Sequence, residues 1–244
     1  MSLAGKTAAV TGASGAIGSA ISKALNELGA HVVAIDVAEN LGERTSSDAA
    51  VTKRQLDLSD PKAIASASLE LIEHFGSIDI LVNNAGVLSN DKINDTTLEE
   101  WRRVVSINVE AAFLLIRSFL PGMRARKWGR IINMSSYAAK SGGLTAGTAY
   151  SVSKSALIGL TFATARETAG DGITANAIAP AYVMSPMVSE QLTEPQRLHQ
   201  LAQIPVGRFC KPEEVAHAVS FLASPLAGFI TGEVIDMNGG LHFD

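Results

Sequence analysis

Residues 7–18 read TAAVTGASGAIG, a short apolar run that leads directly into a turn with three glycines. A helical pattern begins near Ala16, so the glycines lie between a strand and a helix. Glycine lets the backbone approach a phosphate closely, and the amino end of a helix presents unpaired N–H groups with a partial positive charge. A tight strand-to-helix connection would use the same residues, but the strand before and the helix after favour a dinucleotide-binding turn.

The rest of the chain repeats this order of strand and helix. Short β-type runs are predicted at Thr7–Thr11, Val32–Asp36, Ile78–Asn83, Arg130–Met134, Ile173–Pro180 and Glu233–Met237. These runs are largely apolar rather than alternating, as is typical of strands that are covered on both faces. The sequence therefore predicts an α/β fold, a doubly wound parallel sheet (Rossmann fold) with three αβα layers.

Length, composition and charge limit the class of protein. A chain of 244 residues with 47% hydrophobic content can bury one substantial core, so we expect one domain over residues 1–244. The formal charge of −4 is spread along the chain, so no nucleic-acid partner is expected. The single cysteine, the lack of a signal pattern and the lack of an apolar run near the ~18 residues of a membrane span predict a soluble, cytoplasmic protein with no membrane partner.

Three segments depart from the regular pattern. Residues 37–50 are short and polar, which predicts a stunted helix. Residues 184–207 carry three prolines and several apolar side chains, and we interpret them as a substrate loop that closes over the site, with an ordinary surface excursion as the alternative. A basic run is interpreted as the solvated end of a helix rather than as a phosphate-binding patch. It comprises Arg124, Arg126, Lys127 and Arg130.

Acidic residues follow two of the strands. Asp36 ends the second strand, where a carboxylate can accept hydrogen bonds from the adenosine ribose and would repel a 2′-phosphate. No Arg or Lys occurs in the glycine-rich turn to neutralise that phosphate, so NAD is predicted rather than NADP. A helix cap is the alternative role for Asp36. Asp57, after the third strand, is expected either to meet the adenine edge or to cap the next helix.

Five motifs occur in an order that is typical of one large family. They are Thr11–Gly18, Asn83-Asn84-Ala85-Gly86, Ser106-Ile107-Asn108-Val109, Met134-Ser135-Ser136 and Tyr150-Ser-Val-Ser-Lys154. On these motifs the sequence resembles the short-chain dehydrogenase/reductase superfamily over essentially its whole length. The resemblance implies an NAD(P)-dependent oxidoreductase with a catalytic tetrad of Asn108, Ser136, Tyr150 and Lys154.

The same resemblance, together with Asp36 and Asp57, indicates which residues contact the cofactor. They are expected to be Gly12, Ser14, Ala16, Ile17, Asp36, Asp57, Leu58, Asn84, Ala85, Gly86, Tyr150, Lys154, Pro180, Val183 and Ser185. The five histidines are scattered without ligand spacing, so no catalytic metal is predicted.

The sequence departs from the family pattern at three places. Ala16 occupies the middle glycine position of the turn, and an extra glycine, Gly15, precedes it. Ala181 replaces the glycine of the usual Pro-Gly, so its backbone is not expected to adopt a conformation that only glycine tolerates. The spacing from Ser136 to Tyr150 is longer than is common, which predicts a loop insertion around residues 142–148 beside the substrate pocket.

Tyr150 and Lys154 are spaced i,i+4, which places both side chains on one face of a helix. Bringing a tyrosine pKa from about 10 to near 7 takes roughly 4 kcal/mol, which the Lys154 charge and an oxidised nicotinamide could supply together. We therefore expect Tyr150 to act as general acid in reduction and as general base in oxidation. By the family pattern, Lys154 also holds the nicotinamide ribose, and Asn108 anchors a water that links Lys154 to solvent.

A serine at a strand end is expected to stabilise the substrate oxygen. Ser136 would donate a hydrogen bond to that oxygen as its charge develops. Ser135 competes for this role, but the second serine of the pair matches the catalytic position of the family.

The side chains expected around the substrate are mostly apolar and favour a small or medium secondary alcohol or ketone. They are Tyr137, Leu144, Tyr182, Met184 and Met187. The alternative is an NADPH-dependent 3-oxoacyl-[acyl-carrier-protein] reductase, an activity common in the family. Such enzymes resemble one another in placing two basic residues beside the site mouth to receive an acidic carrier, and this chain has Lys127 at the first position but Asp171 at the second.

Two other classes of protein share part of this motif pattern. A sugar-nucleotide epimerase or dehydratase would need an added substrate domain, for which the chain leaves no room after its last strand. A non-catalytic NAD-binding protein would not need all four residues of the implied tetrad.

Small residues follow the helix that carries Tyr150. They are Ser151, Ser153, Ser155, Ala156, Gly159 and Ala163. Such residues allow close packing against either the sheet of the same chain or a partner subunit. The resemblance implies that this helix faces a partner, often in a tetramer, so a homo-oligomer (tetramer or dimer) is expected.

Overall fold

The computed structural model describes residues 2–38, 50–184 and 193–243. The strands are β1 (Thr7–Thr11), β2 (His31–Asp36), β3 (Val51–Gln55), β4 (Ile80–Asn83), β5 (Gly129–Met134), β6 (Ile173–Pro180) and β7 (Val234–Met237). The helices are α1 (Ala16–Glu27), α2 (Pro61–Phe75), α3 (Leu98–Val105), α4 (Ala111–Arg126), α5 (Ala138–Ser141), α6 (Thr148–Thr168), α7 (Glu194–Gln203) and α8 (Pro212–Ala223). A π-helical turn, Ser106–Glu110, joins α3 to α4.

In the part of the chain that the structure describes, seven strands form one parallel sheet in the order β3-β2-β1-β4-β5-β6-β7. The strand β1 pairs with both β2 and β4, so the direction of winding reverses between β1 and β4. Open α/β sheets bind ligands beyond the carboxyl ends of their strands at such a reversal. The prediction of a doubly wound parallel sheet is confirmed.

The predicted strands agree closely with the observed ones. β1 and β6 have the predicted bounds, and the other four begin within one or two residues of the predicted start. β3 is the strand for which we predicted no bounds. It lies at the edge of the sheet, where one neighbour is missing, and its sequence VTKRQ carries the polar and charged side chains that are typical of an edge strand.

Two clusters of buried apolar side chains attach helices to the two faces of the sheet. On one face, α2 and α4 bury Leu71 and Phe119 among side chains that include Leu81 and Ile131 of the sheet. On the other face, α1 and α8 bury side chains such as Ile21, Leu25, Val215 and Val219 against the sheet. Burial of one such side chain contributes about 1.5–3 kcal/mol to folding. The sheet is therefore covered on both sides, as the three-layer prediction requires.

The helical stretch Leu98–Arg126 is long and apolar enough to cross a membrane by length and composition. This differs from our expectation that no apolar run approaches that length. In the structure Leu115, Phe119 and Met123 of this stretch are buried in the core. A core helix of a folded domain can therefore meet the same criteria of length and composition as a membrane span.

Two irregular segments lie partly outside the described residues. The predicted stunted helix at residues 37–50 falls mainly on residues 39–49, which are outside them. In the predicted substrate loop, residues 185–192 are also outside them, whereas Glu194–Gln203 forms α7. Pro195 lies in the first turn of α7, where the missing N–H of proline breaks no helical hydrogen bond. The prolines therefore did not mark a loop throughout this segment.

The basic run divides into two environments. Arg124 and Lys127 lie near the end of α4 and both pair with Asp171, at 2.9 and 3.2 Å. Lys127 adopts a left-handed backbone conformation with φ 52° as it ends the helix. Arg130 departs from the prediction of a solvated helix end, because it lies in β5 and is only 3% exposed. Its guanidinium donates to the carbonyls of Gly129 and Ser224, and burial lowers the pKa of Arg130.

Candidate active site

A cavity of about 400 Å³ opens beyond the carboxyl ends of the central strands. Many of the predicted site residues line this cavity: Ala16, Ile17, Asn84, Gly86, Ser136, Tyr137, Leu144, Tyr150, Lys154, Pro180, Tyr182 and Val183. Of the predicted residues that the structure describes, those outside the lining are Gly12, Ser14, Asp36, Asp57, Leu58, Ala85, Asn108 and Met184. Ser185 and Met187 lie outside the described residues.

The glycine-rich turn depends on close contacts that a side chain would prevent. Gly12 has φ +66°, and a Cβ atom at this position would lie 2.9 Å from the Cα of Ala85. A Cβ atom at Gly18 would overlap the carbonyl oxygen of Gly12. Gly15 precedes α1 and supplies no side-chain cap, so the first N–H groups of this helix are available to an anion. The turn therefore fits the pyrophosphate of a dinucleotide.

Asn84 and Thr11 join the glycine-rich turn to the end of β4. The Asn84 side chain donates to the carbonyls of Thr11 and Gly12, at 2.9 and 3.2 Å. The Thr11 hydroxyl in turn accepts the backbone N–H groups of Asn84 and Ala85, both at 3.0 Å. Asn84 therefore fixes the shape of the turn from inside the molecule. Thr11 had no predicted role, since a threonine at the end of a strand is a weak signal in a sequence.

Asp36 is held at the carboxyl end of β2, next to the turn. One carboxylate oxygen accepts the N–H of Ser14 at 2.9 Å, and the other accepts the N–H of Ala38 at 3.1 Å. These two hydrogen bonds fix the carboxylate as an acceptor beside the turn.

Asp57 and Leu58 lie farther from the cavity. The Asp57 carboxylate accepts the N–H and the hydroxyl of Ser59, and these hydrogen bonds lower the pKa of the exposed Asp57. Asp60, not Asp57, caps α2 by accepting backbone N–H groups of Lys62 and Ala63, so the alternative role of Asp57 as a helix cap is wrong. The Leu58 side chain is buried in the core.

Ser136 and Ser135 differ in what their hydroxyls contact. The Ser136 side chain favours the ionised form of the Tyr150 hydroxyl and so lowers the pKa of Tyr150, and its oxygen accepts the N–H of Ala138 at 3.2 Å. The Ser135 hydroxyl is buried and donates to the carbonyl of Lys154 at 2.9 Å. Of the two serines, Ser136 is therefore the one whose side chain acts on Tyr150, which favours it over Ser135.

Tyr150 and Lys154 lie on one face of α6, as their spacing predicts. The Lys154 ammonium is buried, donates to the carbonyl of Met134 at 2.7 Å and lies 5.6 Å from the centre of the Tyr150 ring. Burial lowers the pKa of Lys154 to about 8. Burial also raises the pKa of Tyr150, and the hydrogen bond from Ser136 offsets part of that rise. In the protein alone, desolvation thus outweighs the predicted lowering of the Tyr150 pKa by Lys154.

Asn108 lies in the π-helical turn between α3 and α4 and is 1% exposed. Its amide oxygen accepts the N–H of Val87 at 2.8 Å, and its amide nitrogen donates to the Val87 carbonyl and to the Ser153 hydroxyl, at 3.1 and 2.9 Å. A Cβ atom at Gly86 would lie 3.2 Å from both the Asn108 oxygen and the Lys154 nitrogen. Asn108 therefore ties the segment after β4 to α6, and glycine at position 86 leaves room for both side chains.

Three of the five expected substrate side chains line the cavity. Tyr137, Leu144 and Tyr182 line the cavity, whereas Met184 is 43% exposed and lies outside the lining. Residues of the predicted loop insertion also line it. Among the described residues, Lys127 is the one residue other than glycine with a positive φ, so the expectation for the Ala181 backbone is confirmed.

Two residues that carry no motif also support this site. Leu88 lines the cavity, and Lys92 contacts the loop that contains Leu144. Neither could be predicted, because a single apolar or basic residue in a connecting segment has no distinctive spacing.

Comparisons with known proteins agree with this geometry. A family model described as Enoyl-(Acyl carrier protein) reductase matches residues 12–242. The chain is similar to the 3-oxoacyl-[acyl-carrier-protein] reductase of Vibrio cholerae, with 39% identity over 99% of each chain, and to that of Rickettsia conorii, with 40% identity over 98% of each chain.

A solved structure from Beutenbergia cavernae, described as a candidate NAD(P) dependent gluconate 5-dehydrogenase with bound NADP at low occupancy, has a TM-score of 0.89 and 37% identity over 98% of both chains. The sheet order, the glycine-rich turn and the position of Ser136, Tyr150 and Lys154 around one cavity accord with these matches. The chain therefore belongs to the short-chain dehydrogenase/reductase superfamily and is an oxidoreductase of that type.

Proposed function

We propose that this chain transfers a hydride from a reduced nicotinamide dinucleotide to the keto carbon of a 3-oxoacyl thioester, which gives the 3-hydroxyacyl thioester. The buried Lys154 ammonium, which is fixed by the Met134 carbonyl and lies 5.6 Å from the centre of the Tyr150 ring in the cavity that Ser136 also lines, is the observation that carries the chemistry. The substrate class is supported by full-length relatives that are named for this reaction. These relatives favour the reduction of a 3-oxoacyl thioester over the NAD-linked reaction of a secondary alcohol that we first expected.

In the proposed reaction the reduced nicotinamide, when bound, supplies the hydride. Tyr150 gives its hydroxyl proton to the substrate oxygen as negative charge develops there. Ser136 donates a hydrogen bond to the same oxygen. The raised pKa of Tyr150 keeps the phenol protonated at neutral pH, which suits a proton donor. The ammonium of Lys154 stabilises the phenolate that remains.

Lys154 and Asn108 have supporting roles in this proposal. The hydrogen bond to the Met134 carbonyl fixes the Lys154 ammonium and leaves further N–H groups for the ribose hydroxyls of the nicotinamide. Asn108 holds Val87 and Ser153 through three hydrogen bonds. Its predicted role in anchoring a water remains a hypothesis.

The choice between NAD and NADP depends on Asp36. Its carboxylate is fixed beside the glycine-rich turn by two backbone N–H groups, so a 2′-phosphate placed there would meet negative charge. This favours NAD. The NADP bound in the Beutenbergia cavernae structure favours the phosphorylated cofactor instead. We propose that NAD is preferred and that NADP is also accepted.

A second candidate function is the NAD-linked oxidation of a small secondary alcohol. Asp171 favours it, because this carboxylate pairs with both Arg124 and Lys127 and offsets the basic charge that an acidic carrier would need. Lys127 and Asp171 also precede β5 and β6, so in a single chain they lie near the amino ends of these strands, whereas the cavity opens beyond the carboxyl ends. This differs from the expected position beside the site mouth.

We propose that the chain forms a homo-oligomer, which the exposed face of α6 supports. We also propose that the chain folds as a single domain and is located in the cytoplasm. Ser151 and Ser153 are buried within the chain, whereas Ser155, Ala156, Gly159 and Ala163 are exposed. Phe162 on the same helix is 49% exposed. Small residues around an exposed aromatic ring allow a second helix to pack closely.

The first test of this function is absorbance at the NADH band. Acetoacetyl thioesters, secondary alcohols, sugars and hydroxysteroids are assayed in parallel with the NAD and NADP forms of the cofactor. Thioester reduction should be the fastest reaction, and Asp36→Asn should raise the KM for NADH about tenfold or more, since a charged acceptor is lost. Glu73→Gln is the control, because this exposed carboxylate on α2 belongs to no predicted site. Turnover of an alcohol or sugar with NAD, and none of the thioester, would favour the second candidate.

Replacement of the two serines should separate their roles. We expect Ser136→Ala to lower kcat about a hundredfold or more, because one donor to the substrate oxygen is lost, and Tyr150→Phe to lower it at least as much. Ser135→Ala should keep turnover within a few-fold of the parent, since its hydroxyl faces the Lys154 carbonyl. Cofactor titration by fluorescence checks that each variant still binds the dinucleotide. Full activity of Tyr150→Phe would contradict the proposed mechanism.

The pKa of Lys154 predicts an alkaline limit to reduction. Burial lowers this pKa to about 8, so the ammonium loses its proton as the pH rises through that value and no longer stabilises the phenolate. We therefore expect kcat/KM for reduction to fall above about pH 8, as measured from about pH 6 to about pH 10. Between the lowered and the ordinary pKa of lysine, the unfolded chain binds more protons than the folded chain. The contribution of Lys154 to the free energy of unfolding therefore rises with pH between these two pKa values. Lys154→Arg keeps its charge and should remove the limit near pH 8, whereas an unchanged profile would refute the assignment.

Light scattering tests the proposed oligomer. We expect the mass at micromolar concentration to be a dimer or tetramer of the 25.5 kDa chain. Phe162→Glu should shift the population towards the monomer, because the charge would be buried in the contact. Leu69→Glu, at a position that is 63% exposed on α2, is the matched control. A monomeric parent would reject the proposal.

A further inference from the structure

The side chain of Lys92 reaches across to the loop that precedes α6. Its ammonium donates to the carbonyls of Gly143 and Ala146, at 2.8 and 2.7 Å, and lies 3.5 Å from the carbonyl oxygen of Leu144. A lysine ammonium has three donors, so one cation serves the three backbone oxygens of this loop. All three of the loop residues line the cavity. Lys92, which does not itself line the cavity, thus contacts the backbone of residues that form its wall.

The backbone that carries Lys92 is itself fixed. The Lys92 carbonyl accepts both the N–H and the hydroxyl of Thr96, each at 2.9 Å. The N–H of Gly147 donates to the Ser89 carbonyl at 2.7 Å, and the N–H of Thr148 donates to the Asp91 carbonyl at 2.9 Å. Residues 89–92 and 143–148 therefore form one connected unit.

This unit is tightly packed at its glycines. Gly143 has φ +78°, and a Cβ atom there would overlap the Ser151 side chain. A Cβ atom at Gly147 would lie 2.7 Å from the backbone nitrogen of Asp91. A loop with this shape turns several carbonyl oxygens towards one point, where they repel one another unless a donor lies between them. Hydrogen bonds from an ammonium are roughly twice as strong as neutral ones, which makes Lys92 suited to that position.

We propose that Lys92 is a positioning residue that determines substrate specificity, because it holds residues 143–146 as one wall of the pocket. The wall then presents Leu144 and Ala146 to the substrate, while the carbonyls of Gly143 and Ala146 stay engaged by the ammonium. Lys92 acts on the substrate only through this loop. The proposal rests on the proposed function for the identity of the substrate, but not for the contact itself.

Two variants and one control test the proposal in the full-length protein. Lys92→Met removes the ammonium and keeps a flexible side chain, and Lys92→Arg restores a cation with several donors. Lys62→Met, at an exposed lysine at the start of α2, is the matched control. Hydrogen exchange is measured at the amides of Gly147 and Thr148, which does not require activity. The KM and kcat for acetoacetyl-coenzyme A and the KM for the cofactor are measured in parallel.

We expect Lys92→Met to speed exchange of these amides about tenfold or more and to raise the KM for the thioester by a similar factor. The kcat and the KM for the cofactor should stay within about twofold of the parent, because no contact to either reacting group is removed. Lys92→Arg should recover part of both changes, and Lys62→Met should show neither.

Unchanged exchange in Lys92→Met would overturn the proposal, as would faster exchange with an unchanged substrate KM. If the parent reduces no thioester, the proposed function fails, and the KM is then measured with whichever alcohol or sugar the parent oxidises. If the parent turns over no substrate at all, hydrogen exchange decides whether Lys92 holds the loop.

Discussion

The hydrogen bonds between Asn84 and the Thr11–Gly12 backbone are the constraint on which the site depends. They join the carboxyl ends of β1 and β4, the two strands between which the winding of the sheet reverses. Gly12 and Ala85 approach so closely there that a side chain at position 12 would not fit. The first turn of α1 and the segment after β4 are thus fixed against each other. The cofactor side and the substrate side of the cavity therefore keep a constant position relative to each other.

A second constraint is the loss of water around Tyr150 and Lys154 on α6. Burial acts in opposite directions on its two ionisable groups, since it favours the neutral phenol of Tyr150 and the neutral amine of Lys154. Burial therefore moves the two pKa values apart, and in the protein alone it favours the neutral form of both groups. Asn108, Ser135 and Met134 hold the surrounding backbone, so these groups move little while their charges change.

The sequence predicted those parts of the structure that follow from local pattern. Apolar runs located β1 and β6, and the i,i+4 spacing placed Tyr150 and Lys154 on one helix face. Other features were harder to predict, namely the edge strand β3, the burial of Arg130 and the helix α7. Tertiary neighbours decide whether a polar strand pairs and whether a cation is buried. They also decide whether a segment with several prolines is helical. Spacing also reveals a nearby charge but not the loss of water, which raises the pKa of Tyr150 in the protein alone.

The contact between Lys92 and residues 143–146 is made to backbone oxygens, which every amino acid has. Side chains in this wall can therefore be exchanged without loss of the bonds that hold it. Such an arrangement separates the stability of the loop from the identity of what it recognises. In evolution or in enzyme engineering, position 144 is then free to vary in size and polarity while the dinucleotide half and the proton-transfer groups keep their geometry, which makes this wall a natural place to change substrate range.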